Sequence, residues 1–339
     1  MSNHLLEIEN LKVSFFTHAG EVKAVNNISY TVDQGEVVGI VGESGSGKSV
    51  EAFSIMGLLQ FPGRIVDGSI TFDGKDVINL TKKERNAFRG KDVSMIFQNP
   101  MTCLNPVHTI GKQLSEAILN HEKVSKAEAM ERVKEVLTQV GINNVDQRVK
   151  QYPHELSGGM RQRAMIAMGM ICKPKLLIAD EPTTALDVTI QAQILDLMRN
   201  LQKQTGMSII FITHNLGVVA EICHKVNVMY AGSFVEKGPV RDIFYKPAHP
   251  YTKGLLKSMP KVDEETHERL IPINGTPVNL LDPPTGCMFS PRCPECMGIC
   301  KKQAPTETVV GEDHTASCWL LQMDQLSEED KKSCAEEVK

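Results

Sequence analysis

The chain has no long hydrophobic run, no surplus of charge of one sign and no internal repeat, and each absence removes a class of protein. Its longest apolar stretches, such as Ala164 to Cys172, fall well short of the ~18 residues that a membrane-spanning helix requires. No spanning segment is therefore expected. Lys and Arg number 37 against 41 Asp and Glu, a formal charge of −4, which indicates neither a nucleic-acid-seeking basic surface nor a polyacidic tail protein. The first residues, Met1 to Asn10, carry acids and no basic region leading into an apolar stretch. No secretory signal is expected, and a cytoplasmic residence follows. What is present is length: 339 residues, enough for roughly two domains at about 150 residues each.

Cysteine is plentiful but unevenly placed. Cys103, Cys172 and Cys223 are scattered, Cys287, Cys293, Cys296, Cys300 and Cys318 crowd into one late segment, and Cys334 stands alone. In a long chain of a reducing compartment such crowding points to metal rather than to a disulfide framework. Proline follows the same trend, with 11 of the 17 between Pro239 and Pro305.

Short β-type runs (Leu11 to Phe16, Asn27 to Val32, Glu36 to Val41) precede a Gly-rich turn and a helical pattern from Ser49 to Leu59. Thr81 with Glu84, and Ser125 with Glu128, have capping-box spacing and open a helix-rich middle, strongly amphipathic to about Val140. Runs at Lys175 to Ala179 and Ser208 to Thr213 then alternate with helical patterns at Thr189 to Gln204 and Leu216 to Cys223. This alternation predicts an α/β fold with a mostly parallel sheet covered by helices. The Pro-rich part beyond Gly238 reads as a separate, loop-rich module, and the last dozen or so residues, poor in apolar groups, are expected to lack structure.

Gly42-Glu43-Ser44-Gly45-Ser46-Gly47-Lys48-Ser49 fits the phosphate-loop pattern and follows the apolar run Val37 to Val41, the context the pattern needs. Glycines let successive backbone N–H groups converge on a phosphate, and the following helix adds its positive end. Lys48 would hold the β- and γ-phosphates, and the Ser49 hydroxyl would ligate Mg²⁺. Leu176 to Ala179 is an apolar strand that ends in the acids Asp180 and Glu181. Beside a phosphate loop, one of them suits the Mg²⁺ shell and the other can polarise an attacking water.

Leu156-Ser157-Gly158-Gly159-Met160-Arg161-Gln162-Arg163 resembles the signature motif of ATP-binding cassette transporter ATPases. The resemblance runs from about residue 5 to 240. It implies a P-loop NTPase cassette: a RecA-like core with an antiparallel β subdomain and a helical subdomain at about 99–174, the whole spanning 1–238. It further implies that Ser157, Gly158 and Gly159 reach the γ-phosphate of ATP held by an opposite subunit, so that two subunits sandwich two nucleotides. Met160 departs from the family, where Gln is frequent. By the same resemblance Gln98 senses Mg²⁺ and water, Asp187 in Ala185-Leu186-Asp187 communicates between sites, and His214 contacts the γ-phosphate. Phe15, or less favourably Phe16, stacks on adenine, with Gly42, Ser44, Gly45, Gly47, Lys48, Ser49 and Asp180 completing the ATP contacts. Mg²⁺ would take Ser49, Gln98 and Asp180, and catalysis would rest on Glu181, His214 and Gln98.

His249-Pro250-Tyr251-Thr252 and Gly286-Cys287-Met288-Phe289-Ser290-Pro291-Arg292-Cys293-Pro294 resemble the additional C-terminal domain of oligopeptide and dipeptide importer ATPases, shared by importers of nickel and other small solutes. That domain is expected over 239–322, ahead of a tail at 323–339. Four thiolates from a Pro-rich loop suit a [4Fe–4S] cluster or a structural Zn²⁺; the resemblance favours a cluster on Cys287, Cys293, Cys300 and Cys318, with Cys296 as an alternative ligand.

The resemblance implies an ATP-hydrolysing subunit on the inner face of the membrane. Its partners would be a second cassette, identical or paralogous, two permease subunits and, indirectly, an external solute-binding protein. The cargo is open between peptides and another small solute. A soluble cassette acting on nucleic acid or ribosomes would carry two cassettes, a coiled-coil insertion or basic arms, and none is visible. An iron–sulfur electron carrier would not need the full set of ATPase motifs.

Overall fold

The computed structural model describes residues 4–184, 187–259 and 272–332. In chain order the first half comprises β1 (His4–Thr17), β2 (Gly20–Asp33), β3 (Val37–Val41), α1 (Lys48–Met56), β4 (Gly63–Phe72), β5 (Lys75–Asp76), α2 (Lys82–Phe88), β6 (Val93–Ile96), α3 (Pro100–Cys103), α4 (Ile110–His121), α5 (Lys126–Gln139), α6 (Val145–Arg148) and α7 (Gly158–Met170). The second half comprises β7 (Leu176–Asp180), α8 (Val188–Thr205), β8 (Ser208–Thr213), α9 (Leu216–Ile222), β9 (Lys225–Tyr230), β10 (Ser233–Pro239), α10 (Val240–Tyr245), α11 (Pro250–Lys257), α12 (Gly298–Lys302), β11 (Thr308–Gly311) and β12 (His314–Ala316). The described residues fall into two compact units that interleave along the chain, residues 4–6, 31–37 and 71–212 in one, residues 7–30, 38–70 and 213–332 in the other.

The first unit carries the parallel ladder β6-β7-β8, with Ile96 opposite Ala179 and Asp180 opposite Ile212. Every residue of these strands is buried, which is why they read as apolar runs without alternation. Helices α4, α5 and α7 pack together in the same unit. Thr81 and Glu84 form the expected reciprocal box, Ser125 accepts the Glu128 N–H at 3.1 Å, and α5 buries Ala129, Val133 and Leu137 along one stripe.

In the second unit β3 runs parallel to β9, β10 returns antiparallel to β9, and β12 and then β11 extend the ladder. Strands β1 and β2 are longer than the expected runs, at 14 residues each. Asn10 and Asn27 sit at φ 50° and 58°, a left-handed conformation that Asn tolerates better than most residues. In β1 it shifts the buried positions from Leu6 and Ile8 to Leu11 and Val13, so the alternation changes phase and only the second half is legible as a strand. Helix α1 stops earlier than its pattern, because Gly57 adopts φ 58° and turns its N–H back to Phe53 and Ser54 carbonyls. Of the expected unstructured tail, residues 323–332 are described: the Lys332 carbonyl accepts the Gly298 N–H at 2.9 Å, and the Asp330 carbonyl accepts that of Ile299 at 3.2 Å. Residues 333–339 lie outside the described residues.

Candidate nucleotide site

The phosphate loop leaves the buried strand β3 and enters α1 through Gly47, at φ 107°. Glycine is required here for specific reasons. A Cβ on Gly42 would lie 2.1 Å from the Met229 carbonyl oxygen and one on Gly47 2.4 Å from that of Ala24, whereas Gly45 has open space but φ 79°. Lys48, 6% exposed, donates to the carbonyls of Gly42 and Glu43 at 2.8 and 2.9 Å. The ammonium thus closes the loop on itself. Ser44 is exposed and Ser49 is half-buried in the first turn of α1.

Phe15 is half-buried, and its ring edge would meet a Cβ on Gly63 at 2.6 Å. Phe16, on the other face of β1, is exposed and carries the Arg64 guanidinium 4.0 Å above its ring. His214 lies just beyond β8, exposed, and Asn215 beside it caps α9 by accepting the Gly217 N–H at 2.9 Å.

In the first unit the shared register of β6, β7 and β8 brings their carboxyl ends to one edge, where ligands bind in open α/β sheets. Asp180 is buried at the end of β7. Glu181 follows at φ 48°, its N–H donating to the Ile212 carbonyl at 2.9 Å. Its carboxylate accepts from the Gln98 carboxamide at 2.8 Å and from the Thr184 hydroxyl at 2.9 Å. Two of the three residues expected to serve catalysis therefore meet directly. Ser157 caps α7, accepting the Met160 N–H at 3.3 Å; Ser157 and Gly158 are exposed, and a Cβ on Gly158 would meet nothing within 4 Å. Asp187 caps α8 through the Ile190 N–H at 2.9 Å; Ala185 and Leu186 lie outside the described residues.

Gln162 was not singled out by the motif. Buried at 2% exposure, its carboxamide donates to the Pro182 carbonyl, one residue beyond Glu181. The signature helix is thereby bonded to the turn that carries the candidate base. The available signal was a polar residue on the otherwise apolar inner face of α7.

In the second unit Glu236, 1% exposed, accepts from the N–H groups of Ala248 and His249 at 2.7 and 2.9 Å and from His314 Nε2 at 2.8 Å. His249 in turn accepts the Tyr251 N–H at 3.0 Å and caps α11. Burial holds its imidazole neutral, its pKa lowered to about 3. Tyr230, Tyr251 and Phe289 pack ring on ring at centroid distances of 4.7 to 5.3 Å.

Cys287, Cys293, Cys300 and Cys318 are free, whereas Cys296 is disulfide-bonded. Burial pushes the thiol of Cys287 up to about 11 and those of Cys293 and Cys318 up to about 12, and the neighbouring sulfurs add to the effect. Among the described residues, however, no group of three or more His, Cys, Asp or Glu is arranged to hold a metal ion.

A parallel sheet, a glycine-shaped phosphate loop and an acidic strand end define a P-loop nucleotide-binding cassette. Residues 25–184 match the profile of the ABC transporter family, and residues 235–300 that of the oligopeptide/dipeptide transporter C-terminal region. The chain is 54% identical over 317 residues to the dipeptide transport ATP-binding protein DppD of Bacillus subtilis, covering 93% of this chain and 94% of that one. It is 54% identical over 306 residues to the oligopeptide transport ATP-binding protein OppD of Salmonella typhimurium, covering 90% and 91%. The solved structure of cbiO1 from Clostridium perfringens, part of an ABC transporter complex, superposes with a TM-score of 0.62 at 29% identity, over 72% of this chain and 92% of that one. The chain belongs to the ABC transporter family, in the branch of oligopeptide and dipeptide transport ATP-binding proteins.

Proposed function

We propose that this chain hydrolyses ATP to drive uptake of oligopeptides or dipeptides through separate membrane subunits. The observation that carries the reading is the near full-length similarity to dipeptide and oligopeptide transport ATP-binding proteins, over the C-terminal region as well as the cassette. Among the described residues no helix is long and apolar enough to cross a membrane. A permease pair would therefore supply the path, with this chain against its inner face. An external binding protein would present the solute.

The cassette is assigned to residues 1–238 and the C-terminal domain to 239–322. The loop glycines, Ser44 and Lys48 would cradle the phosphates, with Phe15 against adenine. Bound Mg²⁺ would neutralise phosphate charge, and the hard oxygens of Ser49, Asp180 and Gln98 suit that ion. Glu181, oriented by Gln98 and Thr184, would accept the proton of the attacking water, and His214 would donate to the γ-phosphate. The Ser157-Gly158-Gly159 turn, exposed at Ser157 and Gly158 and placed at the start of α7, would grip the nucleotide of a second cassette through helix N–H groups, a contact that Asp187 would share.

For Cys287, Cys293, Cys300 and Cys318 we propose an iron–sulfur cluster, supported by four free, mutually neighbouring thiols, two of them buried (Cys300 and Cys318) and two half-buried. Cys296, engaged in a disulfide, is less suited as a ligand. Such a cluster would stiffen the Pro-rich loops. Zn²⁺ is the competing occupant of the same four thiols.

Uptake of a labelled dipeptide by cells that depend on this chain tests the function. Uptake should vanish on its removal and return with the native chain but not with Glu181→Gln; uptake that persists without the chain, while nickel or another solute fails to enter, would reassign the cargo.

A further inference from the structure

The phosphate loop contains an acid. Glu43 occupies its second position, and a carboxylate there opposes the anion that the loop's N–H groups and helix end are shaped to attract. Arg292, 249 residues further along the chain, meets that carboxylate with both arms of its guanidinium, Nη1 to Oε2 at 2.5 Å and Nη2 to Oε1 at 3.0 Å. The Arg292 side chain is 3% exposed, and its fork is set from behind. Nε donates to the Asn274 carbonyl at 3.0 Å, Nη2 to that of Ile273 at 3.3 Å, and Nη1 reaches the Tyr230 hydroxyl at 3.5 Å. A paired geometry of this kind is beyond the reach of a lysine.

The backbone of the same loop residue is held as well. The Tyr251 hydroxyl accepts the Glu43 N–H at 3.0 Å, and Tyr251 is itself fully buried against Tyr230 and Phe289. Side chain and main chain of Glu43 are thus both gripped by residues that lie beyond the cassette profile.

We infer that Arg292 is a positioning residue of the phosphate loop: it cancels the Glu43 charge and, with Tyr251, holds the first half of the loop ready for nucleotide. The C-terminal segment would then set nucleotide affinity directly. This inference rests on the nucleotide reading of the loop given above.

Calorimetric binding of Mg·ADP to the full-length chain tests it, with Lys48→Ala as the reference for the loop. Arg292→Ala should weaken binding about tenfold or more by exposing the nucleotide to an uncompensated carboxylate, and Glu43→Gln should tighten it about threefold. The double variant should return to within about threefold of the native chain, since the offending charge is gone. A purely structural contact would instead weaken binding in both single variants and more so in the double. Native affinity in Arg292→Ala, or no recovery in the double variant, would overturn the inference while leaving the nucleotide site intact. Should Arg292→Ala fail to fold, Arg292→Lys replaces it: weaker binding there, with tighter binding in Glu43→Gln, supports the inference, and shifts of the same sign overturn it. No binding by the native chain, or undiminished binding by Lys48→Ala, would overturn the nucleotide reading and the inference together.

Discussion

The Gln98 carboxamide donates to the Glu181 carboxylate across 2.8 Å, joining the ends of β6 and β7. Glu181 is held at three points, by Gln98, by the Thr184 hydroxyl and through its own N–H to Ile212. These contacts give the carboxylate of the proposed base a defined orientation. Orientation of this kind is what general-base catalysis requires.

Glu181→Gln should retain nucleotide binding while ATP turnover by the assembled transporter falls by about 10²-fold or more, the usual contribution of a positioned base. Gln98→Ala, which loosens the base without removing it, should cost less, about tenfold. Phosphate release and nucleotide affinity measured on the same preparations check both. Unchanged turnover in Glu181→Gln would remove the residue from the chemistry.

Gln162→Leu leaves the buried Pro182 carbonyl without its donor. Loss of one partner in a buried pair costs about 1–3 kcal/mol, so the melting temperature should fall. ATP turnover should fall with it, because the turn after Glu181 loses its tie to α7. A stabilised variant with full turnover would show the bond to be incidental.

Two glycines should respond oppositely to alanine. Gly42→Ala places a methyl 2.1 Å from the Met229 carbonyl oxygen, and the forced shift should cost about 1–3 kcal/mol and abolish nucleotide binding. Gly158→Ala meets nothing within 4 Å and should leave stability equal or raised by up to about 1 kcal/mol. Its effect should appear only as reduced turnover in the paired cassettes. Denaturation and nucleotide titration of each variant separate the two cases.

His249 gives the fold an acid sensitivity with a definite sign. Its folded pKa of about 3 lies below the ordinary 6.5 because burial, and secondarily Lys253, disfavour the charged ring. The unfolded chain takes up the proton first, so the full contribution is present above pH 6.5 and is lost as pH falls toward 3. Between pH 6.5 and 5 the loss is about 2 kcal/mol. His249→Asn retains an acceptor for the α11 cap and should lose correspondingly less stability over that interval. Parallel slopes for the two chains in pH-dependent denaturation would refute the assignment.

Anaerobically purified protein should contain iron and acid-labile sulfide in equal amounts, about four of each per chain for a [4Fe–4S] cluster. Cys293→Ser should abolish both. Stoichiometric zinc without iron would replace the cluster by a structural ion.

Much of the cassette was legible because its chemistry is local. The phosphate loop needs glycines at particular places, and Gly42, Gly45 and Gly47 each have a backbone reason to be there. The strand before Asp180 and Glu181 is buried on both faces, so it reads as an unbroken apolar run. The length of β1 was less legible because Asn10 reverses the alternation midway. Gln162 carries no pattern of its own, and its partner is a backbone carbonyl that no side-chain motif can announce.

The sequence by itself determined the nucleotide loop, the acidic strand end, the signature turn and the family to which they belong, since each is a short run whose spacing is dictated by backbone geometry. It also marked the C-terminal segment as distinct, through its proline and cysteine. Only the tertiary structure decided what that segment touches. Strand β12 joins β10, Tyr251 accepts from the loop backbone, and Arg292 pairs with Glu43 across 249 residues of chain. Such pairings follow from the path of the chain between them. A bidentate ion pair depends on where two distant side chains arrive, and residue order alone does not encode that in any local pattern.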